Sequence, residues 1–151
     1  MRHLLLIALV IASCTKPKQT QSTLESPDKI VKAFVELSAG AKQAGDHQKL
    51  ADMCAGRMRQ AFEKMSADEF KAAYLHGAVK IIDLKILESK VEENIAIVKY
   101  QVTVENSYGS DKTQEINERD VALSNTEGQW YLEAIRLKGS DKVSFTRGMI
   151  F

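Results

Sequence analysis

Two cysteines, two prolines, one tryptophan and a net charge of only +1 are scarcities in a chain of 151 residues, and each removes a class of protein. Two cysteines cannot build a disulfide-dense scaffold. Two prolines and eight scattered glycines exclude a collagen-like repeat, and 44% hydrophobic residues exclude a wholly disordered chain. With 21 basic against 20 acidic residues there is no surplus positive field to hold a phosphate backbone, so nucleic acid is not an expected partner. The apolar run over residues 4–12 is nine residues long; as a helix it rises only about 13.5 Å, against a hydrocarbon core of about 30 Å. It does not span a membrane. The glycines form neither a dinucleotide fingerprint nor a phosphate-binding loop. His47 and His76 are far apart in the chain, and Cys54 has no thiol or histidine at ligand spacing. No cofactor and no metal site is therefore expected.

The N-terminus carries an address. Arg2 and His3 precede the apolar run and small residues follow it, the layout of an export signal. Its end, Ile11-Ala12-Ser13-Cys14, resembles the lipobox of bacterial lipoproteins. The resemblance implies that residues 1–13 are removed as a signal peptide, and that Cys14 takes a diacylglyceryl thioether and a palmitate-type acylated amino group. Thr15 after the cysteine, in place of Asp, implies delivery to the outer membrane of a Gram-negative envelope, where the domain faces the periplasm or the surface. Several acyl chains, each contributing about 0.8 kcal/mol per buried methylene, make such an anchor stable. Loss of Arg2 leaves 20 basic and 20 acidic residues in the mature chain. With Cys14 alkylated, Cys54 has no partner, and no intramolecular disulfide is expected. Residues 14–26 then form the lipidated cysteine and a polar tether, and residues 27–151 form the domain.

The domain divides by period. Ser26-Pro27-Asp28 reads as a helix start, followed by Ile30, Phe34, Leu37, Ala41 and Ala44 at helical spacing. Gly45 is expected to end this helix and Asp46 to cap a second segment, which Ala55-Gly56 interrupts before residues 57–65 resume it. Ser66-Ala67-Asp68-Glu69 has the form of a capping box that opens another helix, stopping at Gly77. Beyond Gly77 the period falls to two. Ile82, Leu84 and Ile86 alternate with Asp83 and Lys85, and Ala96, Val98, Tyr100, Val102 and Val104 alternate with polar residues. Further strands are expected over about residues 113–124 and 130–138, joined through Asn125-Thr126-Glu127-Gly128. Short turns make sequential strands antiparallel, so the expectation is an α+β domain of N-terminal helices packed on a sheet of about four strands.

The opening Pro27 with Val31 and Phe34, the Ala44-Gly45-Asp46 break, and the closing Glu127-Gly128-Gln129-Trp130-Tyr131-Leu132 hairpin together resemble the NTF2-like (cystatin-like) superfamily, in particular its small uncharacterised lipoproteins. That resemblance implies a strongly curved antiparallel sheet wrapped into a cone around the first helix. The open end of such a cone holds a ligand or active site, or is filled by side chains.

Tyr74, Tyr100, Arg119 and Trp130 are the candidate pocket residues: three aromatic faces and one cation suited to a small ligand. Against this stands the reading that Tyr100 and Trp130 are core and Arg119 a solvated strand-end charge. Cys54 reads as a small buried hydrophobe, and Arg57, Arg59 and Lys64 as part of a mixed solvated face beside Glu63, Asp68 and Glu69. The terminal Met149-Ile150-Phe151 is expected to dock on the sheet. No catalytic residue is singled out. The leading expectation is a non-catalytic, lipid-anchored accessory or protein-interaction module, with an envelope protein or a second copy as partner. The alternative is a small-ligand binder or an enzyme that uses the cone.

Overall fold

Pro27, whose ring presets a helical φ, opens α1 (Pro27–Gly40) directly after an extended Ser26. The structure is a computed structural model that describes residues 25–75, 77 and 79–137. The signal peptide, Cys14, most of the tether, His76 and the residues from 138 onward, Met149-Ile150-Phe151 among them, lie outside the described residues. The Ser26 carbonyl accepts from the Lys29 and Ile30 amides, although its side chain makes no capping bond. Ile30, Val31, Phe34, Val35 and Ser38 form one buried stripe on α1.

The helix ends earlier than its apolar spacing suggests. Ala41 turns to ψ 129, and α2 (Gly45–Asp52) begins at the glycine expected to terminate α1. Asp46 is consequently not the N-cap, which is Ala44. Its carboxylate reaches backward instead: Oδ2 accepts from the Lys42 amide at 3.0 Å and the Gln43 amide at 3.3 Å, and Oδ1 pairs with Lys49 Nζ at 2.8 Å. One acid thus satisfies the amides of the connection between the two helices. These bonds, the Lys49 contact foremost, hold its pKa down to about 2.

The break at Ala55-Gly56 separates α2 from α3 (Gly56–Lys64), with Gly56 in the left-handed region at φ +55. In α4 (Ala67–Tyr74) the capping box is formed in full: Ser66 Oγ accepts from the Glu69 amide at 3.2 Å, and Glu69 Oε2 accepts from the Ser66 amide at 2.7 Å.

The strands β1 (Val79–Glu92), β2 (Ile95–Tyr108), β3 (Asp111–Thr126) and β4 (Gln129–Leu137) form one antiparallel meander in sequential order. Glu127 and Gly128 both have positive φ, 54° and 85°, as a two-residue hairpin requires to match the twist of the strands it joins. Along β2 the alternation holds throughout: Ala96, Val98, Tyr100, Val102 and Val104 are all buried. Along β1 it fails twice. Bulges between Ile81 and Asp83 and between Ile86 and Glu88 each insert a residue, so Ile82 and Leu87 turn outward, 46% and 50% exposed. Ile81, not Ile82, joins Leu84 and Ile86 against the core.

All four helices lie with the sheet in an α+β arrangement, and α1 touches β2 and both edge strands, β1 and β4. A helix of 14 residues is about 21 Å long, enough to lie across a four-stranded sheet from one edge to the other. The connection between α2 and α3 closes the far side of β4: Leu132 donates to the Met53 carbonyl at 2.9 Å and accepts from the Ala55 amide at 2.8 Å.

Candidate functional site

Tyr100 and Arg119 face each other in register across β2 and β3, on the inner face of the sheet. The alternation that buries Val121 and Leu123 buries Arg119 with them, leaving it 5% exposed, while Tyr100 is wholly buried. Arg119 is thus not the solvated strand-end charge of one sequence reading. Its Nη1 donates to the Glu118 carbonyl at 3.0 Å. Burial raises the Tyr100 phenol above its ordinary value, with the guanidinium opposing, and burial lowers the guanidinium in turn. At neutral pH the phenol keeps its proton, so it is equipped to donate or accept a hydrogen bond and is not a base.

The other two candidates stand on other elements, Trp130 on β4 and Tyr74 on α4. Trp130 opposes Asn125 on β3, six residues along the strand from Arg119, a separation of about 20 Å. Tyr74 belongs to a layer of helix aromatics: its ring stacks on Phe70 at 4.9 Å and sits 6.0 Å from Phe62, which meets Phe34 edge-on at 6.1 Å. The structure therefore brings Tyr100 and Arg119 together and sets Trp130 apart at the other end of the sheet.

His47, which the sequence analysis set aside as a metal ligand, is part of this aromatic layer. His47 stacks on Phe70 at 4.7 Å, and its Nε2 lies 2.6 Å from the Phe62 carbonyl near the end of α3. A carbonyl only accepts, so Nε2 carries the proton. His47 thereby ties α2 to α3 and α4. No local spacing signals this, because its partners come from two other helices.

Cys54 is completely buried in the bridge to Leu132, and burial pushes its thiol upward. It packs as a small apolar side chain and is not a poised nucleophile. Arg59 pairs with Glu63 at 2.8 Å and with Asp52 at 3.8 Å, a mixed charged face. Among the described residues no three His, Cys, Asp or Glu side chains are grouped to hold a metal ion, and no helix is long and apolar enough to cross a membrane.

Two surface features carry no signal in the sequence. The outer face of the sheet exposes Ile82, Ile95, Ile97 and Ile116. They stand among ion pairs, of which the densest is Glu88 between Lys90 at 2.8 Å and Lys99 at 2.9 Å. Those two lysines hold the Glu88 carboxyl down to about 2. The second feature is an open groove of about 470 Å³ between the end of α1 and the start of β1, which contains none of the four candidate residues.

No protein-family model matches the chain, and no curated protein matches it in sequence. Solved structures do resemble it. A SEC-C motif-containing protein from Rhodopseudomonas palustris, determined in solution, superposes with a TM-score of 0.54 at 14% identity, covering 74% of this chain and 78% of that one. The intermembrane-space region of the chloroplast protein ARC6 gives a TM-score of 0.54 at 12% identity, covering 73% and 92%. An NTF2-like protein with a cystatin-like fold from Novosphingobium aromaticivorans gives 0.46 at 12% identity, covering 80% and 84%. At these identities the likeness is one of fold: helices on a four-stranded antiparallel open sheet.

Proposed function

We propose that this chain is a lipid-anchored protein of the bacterial envelope, held at the outer membrane through Cys14, with a non-catalytic NTF2-like domain that works as an accessory or protein-interaction module. The carrying observation is the contrast between the two faces of the sheet. The inner polar groups, Tyr100 and Arg119, are sealed at 0% and 5% exposure, while the outer face offers aliphatic side chains to a partner. The packing of α1 across the four-stranded antiparallel meander supports the NTF2-like reading, and Ile11-Ala12-Ser13-Cys14 supports the anchor. A partner need not be strongly charged, since the outer face mixes both signs in ion pairs.

Two measurements test this. Intact mass and detergent partitioning of the wild type should show a lipidated chain beginning at Cys14, and Cys14→Ser should give an unlipidated precursor. A wild-type chain without lipid mass defeats the anchor. A photo-crosslinking residue placed at Ile97 or Ile116 should capture a discrete envelope protein or a second copy in cells, whereas one placed at exposed Lys32 on α1 should not. Equal, diffuse labelling at all three positions defeats the module.

A further inference from the structure

We infer that the groove between the end of α1 and the start of β1 is a binding site for a short zwitterionic peptide with aliphatic side chains. It is an open groove of about 470 Å³, with room for a ligand of a few residues that stays partly in solvent. Ala41, Val79 and Ile81 give it an apolar lining, and Glu36, Lys42 and Lys80 bring charges of both signs. None of these three charged side chains takes part in an ion pair or a side-chain hydrogen bond among the described residues, in contrast to Lys85, Lys90, Lys99 and Lys112 on the sheet, which all do. Opposite charges thus line one hollow without neutralising each other.

The end of α1 adds a second attraction. In α2, α3 and α4 the residue closing the helix returns its amide to the last turn; for α1 no such bond is formed among the described residues, and its last turn carries no basic residue. Its terminal carbonyls, at the negative end of the helix dipole, are left to meet a donor, and Ala39 and Gly40 of that turn line the groove. An ammonium group is therefore drawn toward Glu36 and the α1 carbonyls, and a carboxylate toward Lys42 and Lys80. The apolar residues of the same lining receive an aliphatic side chain. A free peptide of two or three residues carries all three elements, whereas a simple anion or a simple amine meets charges of only one sign. This site is separate from the inner-face residues and does not depend on the proposed interaction role.

The test is a titration of the isotope-labelled full-length chain in mild detergent with leucyl-leucine, read through amide chemical shifts. Saturable shifts confined to residues 36–42, 77 and 79–81 are expected. N-acetyl-leucyl-leucine, lacking the ammonium, and leucyl-leucinamide, lacking the carboxylate, should each bind about two- to fivefold more weakly, the size of an exposed ion pair. Glu36→Gln should reduce the preference for the free ammonium, leaving only the share due to the α1 carbonyls, and Lys42→Gln with Lys80→Gln should abolish the preference for the carboxylate; all three positions are exposed, so the fold is retained. The proposal is overturned by the absence of saturable shifts in the groove, by capped peptides binding as tightly as free ones, or by charge variants that leave the preferences unchanged.

Discussion

The two faces of the sheet are made from the same strands yet obey different rules. On the inner face of β2 every second residue is apolar and buried, and even Arg119, opposite Tyr100, is drawn out of solvent. On the outer face isoleucines stand exposed between paired charges. Period-two patterning therefore dictates burial wherever helices cover the strands. Apolar residues on the outer face are governed by something other than the packing of this domain.

The most severe test of this contrast places a charge on each face. Val98→Asp buries an unpaired carboxylate and should cost several kcal/mol, enough to unfold a domain of ordinary stability. Gln101→Asp, half-exposed on the other face, should remain within about 0.5 kcal/mol. Thermal melts of the two variants decide it, and the reverse order would mean that the faces have been exchanged.

A smaller effect is expected at Arg119. Because it is buried, Arg119→Ala removes packed methylenes along with the charge and should cost about 1–3 kcal/mol in denaturant unfolding. Tyr100→Phe, which removes one hydroxyl, should cost about 1 kcal/mol. A neutral Arg119→Ala would return this residue to the solvated strand end that its sequence position suggests.

Acid should weaken the outer face in a defined window. The Glu88 carboxyl lies at about 2 in the folded chain, below its ordinary value of 4.5, so its contribution is fully present above that ordinary value and is lost as the pH falls toward 2. The stability difference between wild type and Glu88→Gln should accordingly shrink across that interval and stay constant above it. Asp46 behaves with the same sign between its ordinary 3.8 and about 2. Constancy of the Glu88→Gln difference down to pH 2 would show that the Lys90 and Lys99 pairs contribute nothing. The smallest change is expected from Ile116→Thr: at 67% exposure the side chain leaves little packing to lose, and melting should be unchanged within about 0.5 kcal/mol.

Much of this architecture is legible in the sequence because the signals are local. The Ser66 capping box, the Glu127-Gly128 turn and the alternation from Ala96 to Val104 each depend on residues a few positions apart, and each stands where its pattern puts it. The illegible parts depend on partners distant in the chain or on inserted residues. The bulges of β1 turn Ile82 outward with no change in composition to announce them. Asp46 resembles a cap but reaches backward to Lys42 and Gln43, because α1 has already ended at Gly40. The joining of Tyr100 to Arg119 comes only from the register of β2 on β3, and the register of β3 on β4 places Trp130 far from both. The groove is assembled from the end of one helix and the start of a strand some forty residues later, which no motif records.

The bridge between Cys54 and Leu132 joins positions seventy-eight residues apart in the chain, and it is made by backbone amides at both ends. A contact of that span is expected to form after the shorter hairpins have brought β4 into place, since closing a longer loop costs more entropy. Its two hydrogen bonds join the helical half to the last strand. The amides of Ala55 and Leu132 should exchange with solvent together and at the rate of the whole domain, so that this seam along β4 reports whether the protein opens by parts or only as a unit.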